Sequence, residues 1–183
     1  MKKSFARSIG LMPAFWVAGG MAFVASSALA QQKFKNSPPD PDAVTKYTQQ
    51  HVFDVGDMPG HQIRIASLFT KYSDKAGGYD GVKPVESNGW LTSDYVNGSG
   101  RFNAYTVTLM VNGDKVFSRT DGVSQTSIGA DGGRKTSFST VTTVTGGTGR
   151  FATLRGTSRG SGVTDFKTGT SNNSSDGEYW FDK

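Results

Sequence analysis

From His51 onward the hydrophobic positions do not recur at helical spacing. They alternate with polar ones in short runs of β-branched and aromatic residues, broken by Gly, Asn and Asp. Between Arg101 and Val111, Tyr105, Val107, Leu109 and Val111 share one face, and Thr106 and Thr108 share the other. Between Lys135 and Val144, Phe138 and Val144 alternate with Ser139, Val141 and Thr143. One face is apolar and the other rich in Thr and Ser, as expected when one side of a sheet is buried. Alternation groups side chains by face without saying which face is inside.

Eight strands are predicted, at 50–56, 61–72, 87–96, 101–111, 115–127, 134–146, 153–167 and 177–182. Met58-Pro59-Gly60, Asn97-Gly98-Ser99-Gly100, Asn112-Gly113-Asp114, Ala130-Asp131-Gly132-Gly133 and Gly146-Gly147-Thr148-Gly149 supply turns between them. Consecutive hairpins of this kind hide their edges by closing, so the expected fold is all-β: an eight-stranded antiparallel up-and-down β-barrel. A two-sheet sandwich is the alternative. An eight-stranded barrel is filled by side chains or holds one small ligand.

The start of the chain follows other rules. Lys2, Lys3 and Arg7 precede a stretch without charge from Ser8 to Gln32, which contains Ala28-Leu29-Ala30. A basic start, an apolar middle and small residues at Ala28 and Ala30 read as a signal peptide over 1–30, cleaved after Ala30. A membrane anchor is the competing reading, but Pro13, Gly19-Gly20 and Ser26-Ser27 shorten its apolar core. The expected protein is therefore periplasmic or secreted, with no stable membrane association after cleavage. Residues 31–49 include Ser37-Pro38-Pro39-Asp40-Pro41-Asp42 and read as an extended polar tether, leaving 50–183 for the barrel.

Cleavage changes the charge. The whole chain carries a net +5, but without the leader 17 basic residues stand against 15 acidic ones, a net +2. No cluster of Lys and Arg follows residue 31, so no nucleic-acid partner is expected. The chain has no Cys, so disulfides do not hold it together.

The segment Val144-Thr145-Gly146-Gly147-Thr148-Gly149-Arg150-Phe151, running on through Ala152-Thr153-Leu154 into Arg155-Gly156, resembles the Gly-Gly-Thr-Gly-basic-Phe segment of the dirigent proteins and the allene oxide cyclase-like barrels. Gly113-Asp114, opening a strand upstream, resembles the same group. Read from the residues alone, the glycines permit sharp turns and Phe151 plugs one end of the core. The motif carries no chemistry of its own. The resemblance implies a barrel with an apolar cavity, often in a homotrimer. Its function would be to hold a fatty-acid epoxide for ring closure or phenoxy radicals during coupling. No active-site residue of either group is carried over, because fold does not imply function.

Candidate chemistry is sparse. Phe117, Arg119 and Asp121 alternate along one strand, Glu178 and Trp180 along another, and Arg155 and Arg159 along a third. If these point inward, Arg119, Tyr105, Phe117 and Trp180 would contact a ligand, and Asp121 or Glu178 would act as general acid or base. If they point outward, they are solvated charges. His51 and His61, with Asp54 and Asp57 between them, lack the spacing of a metal site, and no metal is expected. The glycine-rich stretches lack the Lys-Ser/Thr ending of a phosphate loop, and no cofactor is called for. No Gly-x-Ser-x-Gly elbow is present. Asn97-Gly98-Ser99 and Asn172-Asn173-Ser174 match glycosylation acceptors but are more simply turns.

The favoured function is thus an exported barrel that binds a small apolar or phenolic molecule. The alternatives are a cyclase, isomerase or dirigent-like enzyme acting by cavity shape, and a solid structural barrel. The last would make contacts through loops at 73–86 and 171–176.

Overall fold

The structure is a computed structural model, and it describes residues 32–183 except 166 and 169; the side chains of 170 and 171 are also outside the description. The leader reading, with Ala28 and Ala30, lies outside the described residues. Nine antiparallel strands form one sheet: β1 (Phe34–Lys35), β2 (Val44–Asp54), β3 (His61–Lys71), β4 (Pro84–Val96), β5 (Ser99–Met110), β6 (Lys115–Ile128), β7 (Arg134–Gly147), β8 (Leu154–Asp165) and β9 (Thr170–Phe181). Their order across the sheet is β1-β9-β8-β7-β6-β5-β4-β3-β2, a meander in which each strand from β2 to β9 pairs with the next. The only helical element among the described residues is a single 3-10 turn at Gly149–Phe151.

The turn chemistry behaves as the sequence demands. Asn97 and Gly98 both have positive φ, 53° and 81°, so β4 and β5 are joined by the two-residue primed turn that suits their twist. Two departures from the eight-strand expectation occur at the sheet's margins. The stretch read as a tether over 31–49 carries β1 and the first half of β2, which makes nine strands instead of eight. The 171–176 segment, read as a loop, lies inside β9, where the β8 ladder from Arg159 to Thr164 supplies its partners.

Among the described residues no ladder joins β2 to β9, so the sheet is open by its pairing. It is nonetheless curled, because Thr45 of β2, Thr108 of β5, Thr142 of β7 and Ser175 of β9 all line one cavity. Residues 36–43 run from β1, on the edge of β9, to β2 and form a strap. Asp40 anchors it to the β3–β4 loop by accepting from the Ser73 backbone N–H at 2.7 Å and the Ser73 hydroxyl at 2.8 Å.

The face turned inward is the Ser/Thr face. Across the sheet, Ala66, Leu91, Ala104, Thr120, Thr142, Ser158 and Gly177 stand in one inward row. Tight curvature leaves little room inside, and glycine and small hydroxyl residues are what fit. A Cβ on Gly122 would stand 2.4 Å from the Phe102 ring, and one on Gly162 would stand 2.5 Å from the Phe138 ring. Both glycines therefore accept an aromatic ring from the facing strand.

The apolar core sits at one end. Val82, Met110, Val116, Val144, Phe151, Leu154 and Tyr179 cluster there, with Phe34, Tyr79 and Phe181 packed against them. Phe151 and Leu154 are fully buried. Burial of each such side chain stabilises by about 1.5–3 kcal/mol. Phe151 does plug one end, and the glycines before it explain how: Gly146 and Gly149 have φ of 141° and 52°. A Cβ on Gly147 would come within 2.2 Å of the Lys115 carbonyl oxygen. Gly113-Asp114 meets the same motif in space, since the Asp114 carboxylate accepts from the Arg150 backbone N–H at 3.2 Å. The two stretches that carry the resemblance thus form one local unit.

Candidate functional site

The curled sheet leaves a cavity of about 460 Å³ on its inner face, beside the plug. One wall is hydroxyl-rich: Thr70, Thr108, Thr140, Thr142, Ser158 and Ser175 project from five strands. They do so because they fall on the inward positions of the ladders, even-numbered on β3, β5, β7 and β8 and odd-numbered on β9. The strap and the β3–β4 loop add Pro38, Pro39, Tyr72 and Tyr79 to the lining, and the plug residue Met110 follows Thr108 on the same face of β5. The aromatic groups are held by one another. Tyr79 meets Tyr179 edge-on at 5.1 Å, and Phe34 stacks on Tyr179 at 5.2 Å. The Tyr179 hydroxyl accepts from the Asp80 backbone N–H at 3.0 Å. Burial pushes the Tyr79 hydroxyl up to about 12, with Tyr72 and Tyr179 adding to the effect, so this phenol stays neutral at working pH. Of the lining hydroxyls, that of Thr142 is hydrogen-bonded to that of Thr120 at 2.8 Å. The site can therefore enclose a ring between apolar surfaces and offer hydroxyls to a polar substituent.

The residues singled out in the sequence are elsewhere. Tyr105, Phe117, Arg119, Asp121, Glu178 and Trp180 do share a face, as alternation requires, but it is the outer one. Arg119, Tyr105, Trp90 and Glu178 belong to outward positions of the same ladders whose neighbours line the cavity. Tyr105 is 45% exposed. Asp121 is joined to Arg119 at 3.1 Å, and Glu178 to Lys33 at 2.5 Å, both as exposed pairs. The Trp180 indole donates to Asp182 at 3.1 Å. Arg155 pairs with Asp182 at 3.0 Å. Of the two alternatives for Asp121 and Glu178 the outward one holds: the small residues needed for curvature sit on the opposite face and take the inside.

Asp121 does border a second concavity, an open groove of about 960 Å³ on the outer face. Its charges are mixed, with Asp94, Arg101, Asp121 and Arg159 around Ile63, Val123 and Val141. Most of these side chains are exposed.

His61 is engaged on both ring nitrogens, by Asp57 at 2.5 Å and Asp94 at 2.8 Å. The hydrogen bond to Asp57, then that to Asp94, raise its pKa above the ordinary 6.5. In turn His61 lowers that of Asp57. This is an ion-pair staple between the β2–β3 turn and β4. His51 stands on β2 opposite Ile65 and is not part of it.

Comparison of the chain with known protein families, with curated proteins and with solved structures finds no match. Among the described residues no helix is long and apolar enough to cross a membrane.

A ligand-sized cavity is expected from the sequence, but its lining residues are not, because Thr and Ser carry less distinctive chemistry than the charged and aromatic positions of the outer face. The signal present was the coincidence of Gly122, Gly160, Gly162 and Gly177 with the Ser/Thr positions, since glycine marks the face toward which a sheet bends.

Proposed function

We propose that this is an exported, barrel-like binding protein that holds a small phenolic or similar ring-bearing molecule in the inner cavity. The observation that carries this reading is the mixed lining: Tyr72, Tyr79, Pro38, Pro39 and Met110 together with threonine and serine hydroxyls. Its volume, about 460 Å³, lies within the range of small-molecule sites. The curled sheet works as a barrel in this reading, with the 36–43 strap spanning its seam. The same cavity favours binding over a solid structural barrel. A homotrimer, which the family resemblance implies, would cover the outward Trp90 and Tyr105, which are cross-strand partners and 51% and 45% exposed. Cyclase or isomerase chemistry would have to use the cavity's hydroxyls or the Asp40 carboxylate, because Asp121 and Glu178 are outside it.

The test is calorimetric titration of simple monophenols, such as guaiacol, and their methyl ethers. Thr108→Phe, which fills the cavity, should abolish binding while the circular dichroism spectrum is kept. Trp90→Ser and the pair Asp121→Asn and Glu178→Gln should leave it unchanged. Binding that survives Thr108→Phe, or that disappears with the outer-face variants, would sink the proposal.

A further inference from the structure

We propose that the end of the sheet opposite the plug holds a second site, which takes the carboxylate group of a small organic acid, with Arg64 as its cation and Ser93 as a buried hydroxyl donor. It is a cavity of about 390 Å³ lined by Gln62, Arg64, Ser93, Tyr95, Thr126 and Arg134, among others, and it shares no lining residue with the inner cavity beside the plug.

Two orphaned polar groups point to a ligand there. The Arg64 Nε is buried and has no hydrogen-bond partner, and no carboxylate among the described residues forms an ion pair with Arg64. Ser93 is 1% exposed, and its Oγ is likewise without a partner. The two residues are direct cross-strand partners on β3 and β4, both on the inner face. Buried polar groups are normally satisfied, so an unmatched cation beside an unmatched hydroxyl calls for an acceptor from outside the chain.

The nearby acids are committed elsewhere. Asp94 faces outward and, with Asp57, is held by His61. Asp54, at the end of β2, accepts from the Gln62 side-chain amide at 2.9 Å. Arg134 contributes further positive charge at the rim. It is accommodated because position 98 is glycine: a Cβ there would stand 2.6 Å from an Arg134 Nη and 2.7 Å from Thr126 Oγ1. Tyr95 adds a hydroxyl that burial keeps protonated. The edge of a guanidinium formed by Nε and one Nη presents two parallel N–H donors, which match the two oxygens of a planar carboxylate. Ser93 then supplies a third donor to the same oxygens.

The experiment is calorimetric titration of the purified protein with benzoate and, separately, with inorganic phosphate. Benzoate should bind, phosphate should bind at least tenfold more weakly, and Arg64→Gln should weaken benzoate at least tenfold. Ser93→Ala should weaken it several-fold, and Arg64→Lys, which keeps the charge but loses the fork, should not restore it. Without ligand, Arg64→Gln should not lower the melting temperature, whereas a purely structural arginine would. Thr108→Phe should leave benzoate binding intact, which separates this site from the phenol cavity. Equal or tighter binding of phosphate would overturn the carboxylate assignment. Absence of benzoate binding, or binding indifferent to Arg64 and Ser93, would overturn the site itself.

Discussion

At the scale of single residues, the fold rests on a few positions where chemistry leaves little choice. Gly149 has a positive φ, and a Cβ there would collide with the Asp114 carboxylate at 2.0 Å. Asp114 in turn needs that proximity to accept from the Arg150 backbone. His61 carries a pH dependence whose sign follows from its partners. Because Asp57 and Asp94 raise its pKa in the folded protein, its stabilising contribution is fully present below the ordinary value of 6.5. That contribution is lost as the pH rises through the higher folded value. The melting temperature should therefore fall as the pH is raised from about 6 through the neutral range. In His61→Gln this part of the slope should vanish. Thermal scans at a series of pH values check it, and a wild-type slope that persists in the variant would contradict it.

At the scale of elements, the hairpins from β3 to β8 were legible because their turns are written in residues with specific backbone demands, such as Asn97-Gly98 with both φ values positive. The strap was not legible. Pro38, Pro39 and Pro41 announce a segment without ladder donors, and so mask β1 before them and the start of β2 after them. The 171–176 stretch misled for the opposite reason: Asn172, Asn173 and Ser174 have weak strand preference, and only pairing with β8 makes them a strand. The strap also defines a testable device. The backbone N–H of Ser73, then its hydroxyl, hold Asp40 below the ordinary carboxylate value of 3.8. The contact should therefore persist above pH 3.8 and be lost as the pH falls through the lower folded value. Asp40→Asn should loosen the strap at neutral pH, seen as faster amide exchange at Ser73 and at Ala76, whose N–H donates to the Ser73 carbonyl at 3.1 Å. Unchanged exchange at both amides would show that the strap is held by other contacts.

At the scale of the whole molecule, the sheet is arranged with its small and hydroxyl-bearing side chains inside and many of its large apolar ones outside. Ile65, Trp90, Tyr105, Val123, Val141 and Val163 are each 45% or more exposed. Reading the apolar face as the buried one holds for Phe138 and Val144 of β7 but fails for Tyr105 and Val107 of β5, because curvature, and not hydrophobicity alone, decides which set fits within the bend. The inside then keeps space beside the plug, and that space is the centre of the functional proposal. Threonine-methyl-labelled NMR during a guaiacol titration tests it most directly, since the two faces carry distinguishable threonines. The account predicts saturable shifts at Thr70, Thr108 and Thr142, which line the cavity, and none at Thr92, Thr143 and Thr157, which face outward. Shifts confined to the outward set, or no shift at any of the six, would contradict it.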